Sequence, residues 1–217
     1  GEVNHTTECV TDLFSFVDMD TSVIQFKLLD IGYSEKYELF PIYFTWIKTV
    51  NILDTDDVWF PSKLEKQLQL FDDPEVGIVI SDTMFFNESN ERALYGGDYP
   101  PEGNVFRELL TGYFVVLASL MLRKSVVDRL DYGSDADFSY IQDFDLVLRT
   151  AKISKLAINK EVLAKWRLHK DNDSWKSPVT FCNERELWIE KQIKQDSSFL
   201  DRYNKEISIL HSKNFLL

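Results

Sequence analysis

Residues 50–70, VNILDTDDVWFPSKLEKQLQL, decide how this chain is read. An apolar, strand-like run ends in Asp54, Thr55, Asp56 and Asp57, and a helical pattern begins at once after Pro61. Open α/β sheets bind ligands at the carboxyl ends of their strands. Carboxylates there can hold Mg²⁺ or Mn²⁺ through one or two oxygens while leaving coordination positions for substrate phosphates. On an extended strand Asp54 and Asp56 share a side, so both can face one ion. The plainer alternative is a polar turn capping the helix that Pro61 opens, since Pro fits the first helical turn and Asp favours its N-terminus. A cap needs one carboxylate, and three point to metal and phosphate chemistry.

Composition sets the frame around that stretch. The chain has 217 residues, 44% of them hydrophobic and 14% aromatic, enough for one good core. Its net charge of −12, from 36 acidic and 24 basic residues, argues against a nucleic-acid partner or an anionic membrane held by bulk electrostatics. An anionic substrate must then be held locally, and a bound metal is the obvious device. Cys9 and Cys182 lie far apart and fit neither a disulfide framework nor a zinc spacing. No apolar run approaches the roughly 20 residues that span a bilayer, and the opening GEVNHTTECVTD has neither a basic leader nor an apolar signal core. The expectation is a cytoplasmic protein with at most peripheral contact at the inner face of the membrane.

Outward from the Asp-rich turn, strand and helix signals alternate. Leu64, Leu68 and Phe71 fall at helical spacing until Asp72, Asp73 and Pro74 stop the helix. VGIVI at 76–80 reads as a buried strand, and 86–104, rich in Asn, Glu, Gly and Pro, as a long surface loop. A short helix over 105–110, a continuous apolar strand over 115–122 (VVLASLML) and a short helix over 125–130 follow. Phe144, Val147, Leu148 and Ala151 then give the cleanest apolar helix face, with Asp145 and Arg149 as an i,i+4 pair and Asp143 at the helix start. Strands are expected over 155–158 and 162–168, with His169 just beyond, and residues 14–30 alternate well enough for one or two more. The segment from 183 onward reads as charged helix, and Phe199, Leu200, Tyr203, Ile207 and Leu210 form a stripe on it. Such a stripe is expected to pack on the domain's own surface or on a second subunit, which allows a homodimer.

From about Phe44 to Ser174 the chain resembles the family 2 glycosyltransferases of the GT-A fold, particularly bacterial enzymes that build surface polysaccharides. ILDTDDVWFPSKLEKQ is similar to that family's strand, DXD motif and following helix, and DPEVGIVISD to its next strand. GNVFRELLTGYFVVLASLMLRKSVVDRL is similar to its central segment, IQDFDLVLRTAK to its acidic catalytic segment, and VLAKWRLHKDNDS to its closing strand and histidine. The resemblance implies an α/β GT-A domain over residues 1–182 with a helical C-terminal appendage over 183–217. It further implies sugar transfer from a nucleotide-diphosphate sugar to a hydroxyl of a glycan or lipid-linked acceptor, with Mg²⁺ or Mn²⁺ and inversion at the anomeric carbon.

Carried over position by position, the resemblance makes Asp54, Asp56 and Asp57 the donor-binding carboxylates, with Asp56 the metal ligand and Asp54 on the ribose or donor sugar. Asp143 falls where the inverting enzymes keep their general base, and His169 where several supply a further metal or diphosphate contact. Each has a plainer alternative: Asp143 a helix N-cap, His169 a strand-end surface histidine. Trp59 and Trp166 read as packing residues. Trp175, in the polar loop after His169, is the candidate lid over the acceptor or sugar. Gln142 stands where the family usually carries a glutamate, and the family's opening strand and Asp-Asp-Gly-Ser segment are not recognisable. Two other classes fit part of the pattern: a Mg²⁺-dependent phosphohydrolase using Asp54 and Asp56, and a non-catalytic GT-A-like glycan-binding or scaffold protein.

Overall fold

The computed structural model describes residues 23–27, 49–54, 56–130, 135–169 and 177–214, with 23–27, 213 and 214 described by backbone alone. Cys9 and Trp175 lie outside the described residues. One mixed sheet is built from β1 (Val23–Lys27), β2 (Thr49–Leu53), β3 (Val58–Trp59), β4 (Val76–Phe86), β5 (Glu91–Ala93), β6 (Met121–Arg123) and β7 (Lys155–Arg167). Its order is β1-β2-β6-β4-β7-β3, with β5 on β4. The alternation within 14–30 yields β1, which pairs parallel with β2 from Val23↔Thr49 to Lys27↔Leu53. β6 runs antiparallel to both β2 and β4, so β2 and β4 point the same way, and β7 is parallel to β4.

Three strand expectations are corrected. The run at 76–80 continues to Phe86, because residues 84–86 find partners in β5 as well as in β7. The two strands expected at 155–158 and 162–168 are one, β7, with register shifts against β4 around Ser81 and Asp82. The apolar run 115–122 is a strand only at its end: Leu117–Ser119 is a 3-10 turn before β6. There the carbonyls of Ala118 and Ser119 accept from Trp59 Nε1 (2.7 Å) and Gln67 Nε2 (2.8 Å), so side chains from two other elements take the place of a ladder.

Helices cover both faces. On one, α1 (Lys63–Leu68) and the 3-10 turn Gln69–Asp72 bring Leu64, Leu68, Leu70 and Phe71 onto Val76, Val79 and Met121. On the other lies the larger core, from Ile78, Ile80, Leu122, Leu156 and Ile158 to the helices α2 (Phe106–Thr111), α4 (Gln142–Ala151), α5 (Pro178–Gln195) and α6 (Phe199–Asn214). A short α3 (Lys124–Val127) follows β6. The predicted apolar face of α4 is buried as expected, and its Asp145 also accepts from Trp188 Nε1 (2.9 Å) while pairing with Arg149 (2.7 Å).

The tail stripe packs on the chain's own core. Phe199, Ile207 and Leu210 are buried, and Phe199 meets Phe106, Trp188 and Tyr203 edge-on or tilted. Leu200 departs from the expected stripe and is exposed, because it follows the buried Phe199 by one residue and is therefore turned about 100° away from the core around the helix axis; α6 also kinks at Tyr203 (φ −122°, ψ 22°).

Candidate functional site

β2 delivers the acidic stretch to the carboxyl edge of the sheet, but the strand stops at Leu53. Beyond it the chain turns at Asp56, with Asp57 N–H donating to the Asp54 carbonyl (3.2 Å). The strand alternation that put Asp54 and Asp56 on one side therefore does not govern them. Asp57 turns inward: it is 8% exposed, and its Oδ1 accepts from Arg167 N–H at the end of β7 (3.0 Å). Burial pushes its carboxyl up to about 7, the Arg167 N–H opposes that, and the Asp56 and Asp54 charges add to it. This carboxylate staples the Asp-rich turn to β7.

Asp56 faces the other way. Its Oδ2 lies 2.6 Å from His169 Nε2, joining residues 113 positions apart at the carboxyl ends of β2 and β7, with both side chains about a third exposed. Arg167 Nε donates to the Asp56 carbonyl (3.1 Å), and its guanidinium lies 4.5 Å from the Phe86 ring. Next to this pair, Arg167, Leu168 and His169 line an open cavity of about 460 Å³ with the turn at Asn87–Asn90.

Asp143 opens α4. That helix leads into β7, which is parallel to β4, so its N-terminus lies at the same carboxyl edge as Asp56 and His169. Tyr113 donates its hydroxyl to Asp143 Oδ2 (3.1 Å). Crowding by neighbours raises the carboxyl of Asp143 above the usual range, although the residue keeps some surface. N–H groups of Phe144 and Asp143 itself, the Tyr113 hydroxyl and the Arg185 charge work against that rise. Just before it, Glu184 of α5 is buried, and its carboxylate accepts the N–H groups of Ser139 (2.9 Å), Tyr140 (2.8 Å) and Ile141 (3.2 Å). Asp143 is thus a first-turn residue whose helix start is held by another helix. Gln142 is exposed and donates Nε2 to the Phe138 carbonyl (2.8 Å).

Sequence reasoning singled out Asp56, His169 and Asp143 but not Tyr113, Arg185 or Glu184, whose partners are 30 to 45 residues away and leave no local pattern. Among the described residues no group of three or more His, Cys, Asp and Glu side chains is arranged to hold a metal ion. Asp56 and His169 alone suit a cation that draws its remaining ligands from substrate phosphates and water, since carboxylate oxygen and imidazole nitrogen are both ligands for Mn²⁺-type ions. Among the described residues no helix is long and apolar enough to cross a membrane.

The fold that carries this site is similar to that of a solved structure. Over 75% of this chain the structure matches S. aureus TarS, residues 1–349, in complex with UDP-GlcNAc, with a TM-score of 0.54 at 11% identity. The sequence is also 27% identical over 164 residues, 65% of the chain, to the uncharacterized glycosyltransferase MJ1057 of Methanocaldococcus jannaschii. No protein-family profile matches the chain. The chain spans about half of each relative, 55% of MJ1057 and 46% of the TarS chain.

Proposed function

We propose that the chain is a GT-A-type, metal-dependent, inverting glycosyltransferase of the family 2 kind. It takes a sugar from a nucleotide-diphosphate donor and places it on a hydroxyl of a glycan or lipid-linked acceptor in cell-surface polysaccharide synthesis. The observation that carries this reading is the Asp56–His169 pair at 2.6 Å, supported by likeness to MJ1057 and to the fold of TarS, a protein solved with UDP-GlcNAc. Asp56 and His169 would hold the Mg²⁺ or Mn²⁺, which when bound offsets the charge of a nucleoside diphosphate leaving group. Asp54 flanks the donor, and Asp57 keeps the turn in place from behind.

Asp143 serves as the general base. The acceptor oxygen bonds to the anomeric carbon as the bond from that carbon to the diphosphate oxygen breaks, and the acceptor's proton passes to the carboxylate. Burial favours that assignment: a carboxyl raised above its usual range is closer to the basicity that proton abstraction needs at neutral pH. Arg185 and the start of α4 keep it ionised and ready to accept.

Thermal-shift measurements with nucleoside diphosphates and nucleotide sugars, UDP-GlcNAc among them, with and without Mn²⁺, test the reading. A ligand at 100 times its dissociation constant stabilises the fold by about 2.7 kcal/mol. The expected result is a Mn²⁺-dependent shift that Asp56→Asn removes without lowering the ligand-free melting temperature. A full shift in that variant would overturn the assignment.

A further inference from the structure

We propose that Tyr113 is the positioning residue of Asp143, and that Asp82 and Tyr95 form the scaffold that sets its hydroxyl there; this rests on reading Asp143 as the base. The scaffold starts inside β4, at the register shift beside Asp82. Asp82 is 2% exposed, and its Oδ1 accepts from Thr83 N–H (2.8 Å) and Tyr95 N–H (3.1 Å), its Oδ2 from Gly96 N–H (3.2 Å). The chain can bend around one carboxylate because Gly96 and Gly97 adopt φ of 56° and 105°, which side chains resist.

Held in that turn, Tyr95 donates its hydroxyl to the Phe114 carbonyl (2.7 Å). That bond fixes the backbone next to Tyr113, whose ring packs on Phe144 at 5.3 Å and whose hydroxyl reaches Asp143 Oδ2. A phenol has a single O–H and few torsions, so a tyrosine with both ring and backbone held can aim its donor. Burial, and then the Asp143 charge, push the Tyr113 hydroxyl well up, so it remains a donor. Among the described residues the charge that acts on this carboxylate is Arg185 on α5; Glu184 faces the N–H groups of residues 139–141 and Asp145 faces Arg149 and Trp188, and Tyr95 stands behind Tyr113.

Donation to the ionised carboxylate stabilises its charged form, so loss of the hydroxyl must raise the pH at which Asp143 loses its proton. The direct measurement is a carbon-13 carboxyl NMR titration of the full chain, with Asp143→Asn to assign the resonance. The Asp143 titration should move to higher pH in Tyr113→Phe, and in the same direction by less in Tyr95→Phe, which tests the same chain should Tyr113→Phe fold poorly. A residue that only packs would lower the melting temperature and leave the titration where it was, and that result overturns the proposal. In parallel, the acidic limb of the pH profile for UDP release from UDP-GlcNAc with Mn²⁺ should move to higher pH in the same variant, with less turnover at acidic pH. If the NMR shift appears while Asp143→Asn keeps its turnover, Tyr113 orients Asp143 but Asp143 is not the base; the two failures are therefore separate.

Discussion

Lys63, the first residue of α1, has no exposed surface, and its Nζ lies 4.3 Å from the centre of the Trp59 ring with no hydrogen-bond partner among the described residues. Burial alone lowers its amine from 10.5 to about 7. At roughly 1.4 kcal/mol per pH unit, that corresponds to about 4–5 kcal/mol against the charged form in the folded state. Because the folded value lies below the unfolded one, the stability linked to this group is fully present above pH 10.5 and is lost as pH falls to about 7. Lys63→Met keeps an unbranched side chain against the indole and removes the charge. It should raise stability at pH 7 by about 2–4 kcal/mol, or roughly 5–15 °C for a chain of this size. Urea unfolding at pH 7, 8 and 9 gives the discriminating slope: the wild type should gain stability with pH across this range, and the variant should gain much less. A Met variant that is less stable at pH 7, or that keeps the wild-type slope, would show that polar groups hold the amine in its charged form.

Asp57 has the opposite sign: raised from 3.8 to about 7, it contributes stability that is fully present below pH 3.8 and is lost as pH rises through 7. Melting curves of Asp57→Asn between pH 4 and 7 should be flatter than the wild type's. Asp143→Asn should lower turnover by roughly 10²–10⁴-fold while donor affinity, measured by calorimetry, stays unchanged, whereas near-normal turnover would leave it only a helix-start residue. Phe199→Ala removes a ring 2% exposed between Phe106 and Trp188. It should cost about 3–5 kcal/mol in chemical denaturation, and a loss below 1 kcal/mol would mean that α6 is not part of the core.

Elements with one apolar face and a marked start were legible: α1 after Pro61, α4 with its spacing at 144, 147, 148 and 151, and β4 from its unbroken VGIVI. What escaped was set by tertiary partners. β5 has three residues within a polar stretch and exists because β4 offers it an edge at 84–86. The run 115–122 is apolar because it is buried, and burial alone does not distinguish a strand from a 3-10 turn whose carbonyls serve Trp59 and Gln67. Lys63 and Gln67 carry the same lesson. Both are polar residues of α1, yet both are buried, Gln67 reaching the Ser119 carbonyl and Lys63 lying against the Trp59 ring.

The site divides along the same line. Asp56, His169 and Asp143 could be named from motifs, but what each does depends on neighbours from far along the chain. Gln142 shows this best. Read alone, it removes a negative charge from the start of α4, where the resembled family keeps one. In the fold its side chain is exposed and bonded back to Phe138, while α5 inserts Glu184, a buried carboxylate, onto the N–H groups of Ser139, Tyr140 and Ile141. A carboxylate at a helix start both satisfies otherwise unbonded N–H groups and interacts favourably with the helix dipole. A negative charge therefore does stand beside the start of α4, supplied from 42 residues downstream, and α5 helps to hold the segment that leads into Asp143.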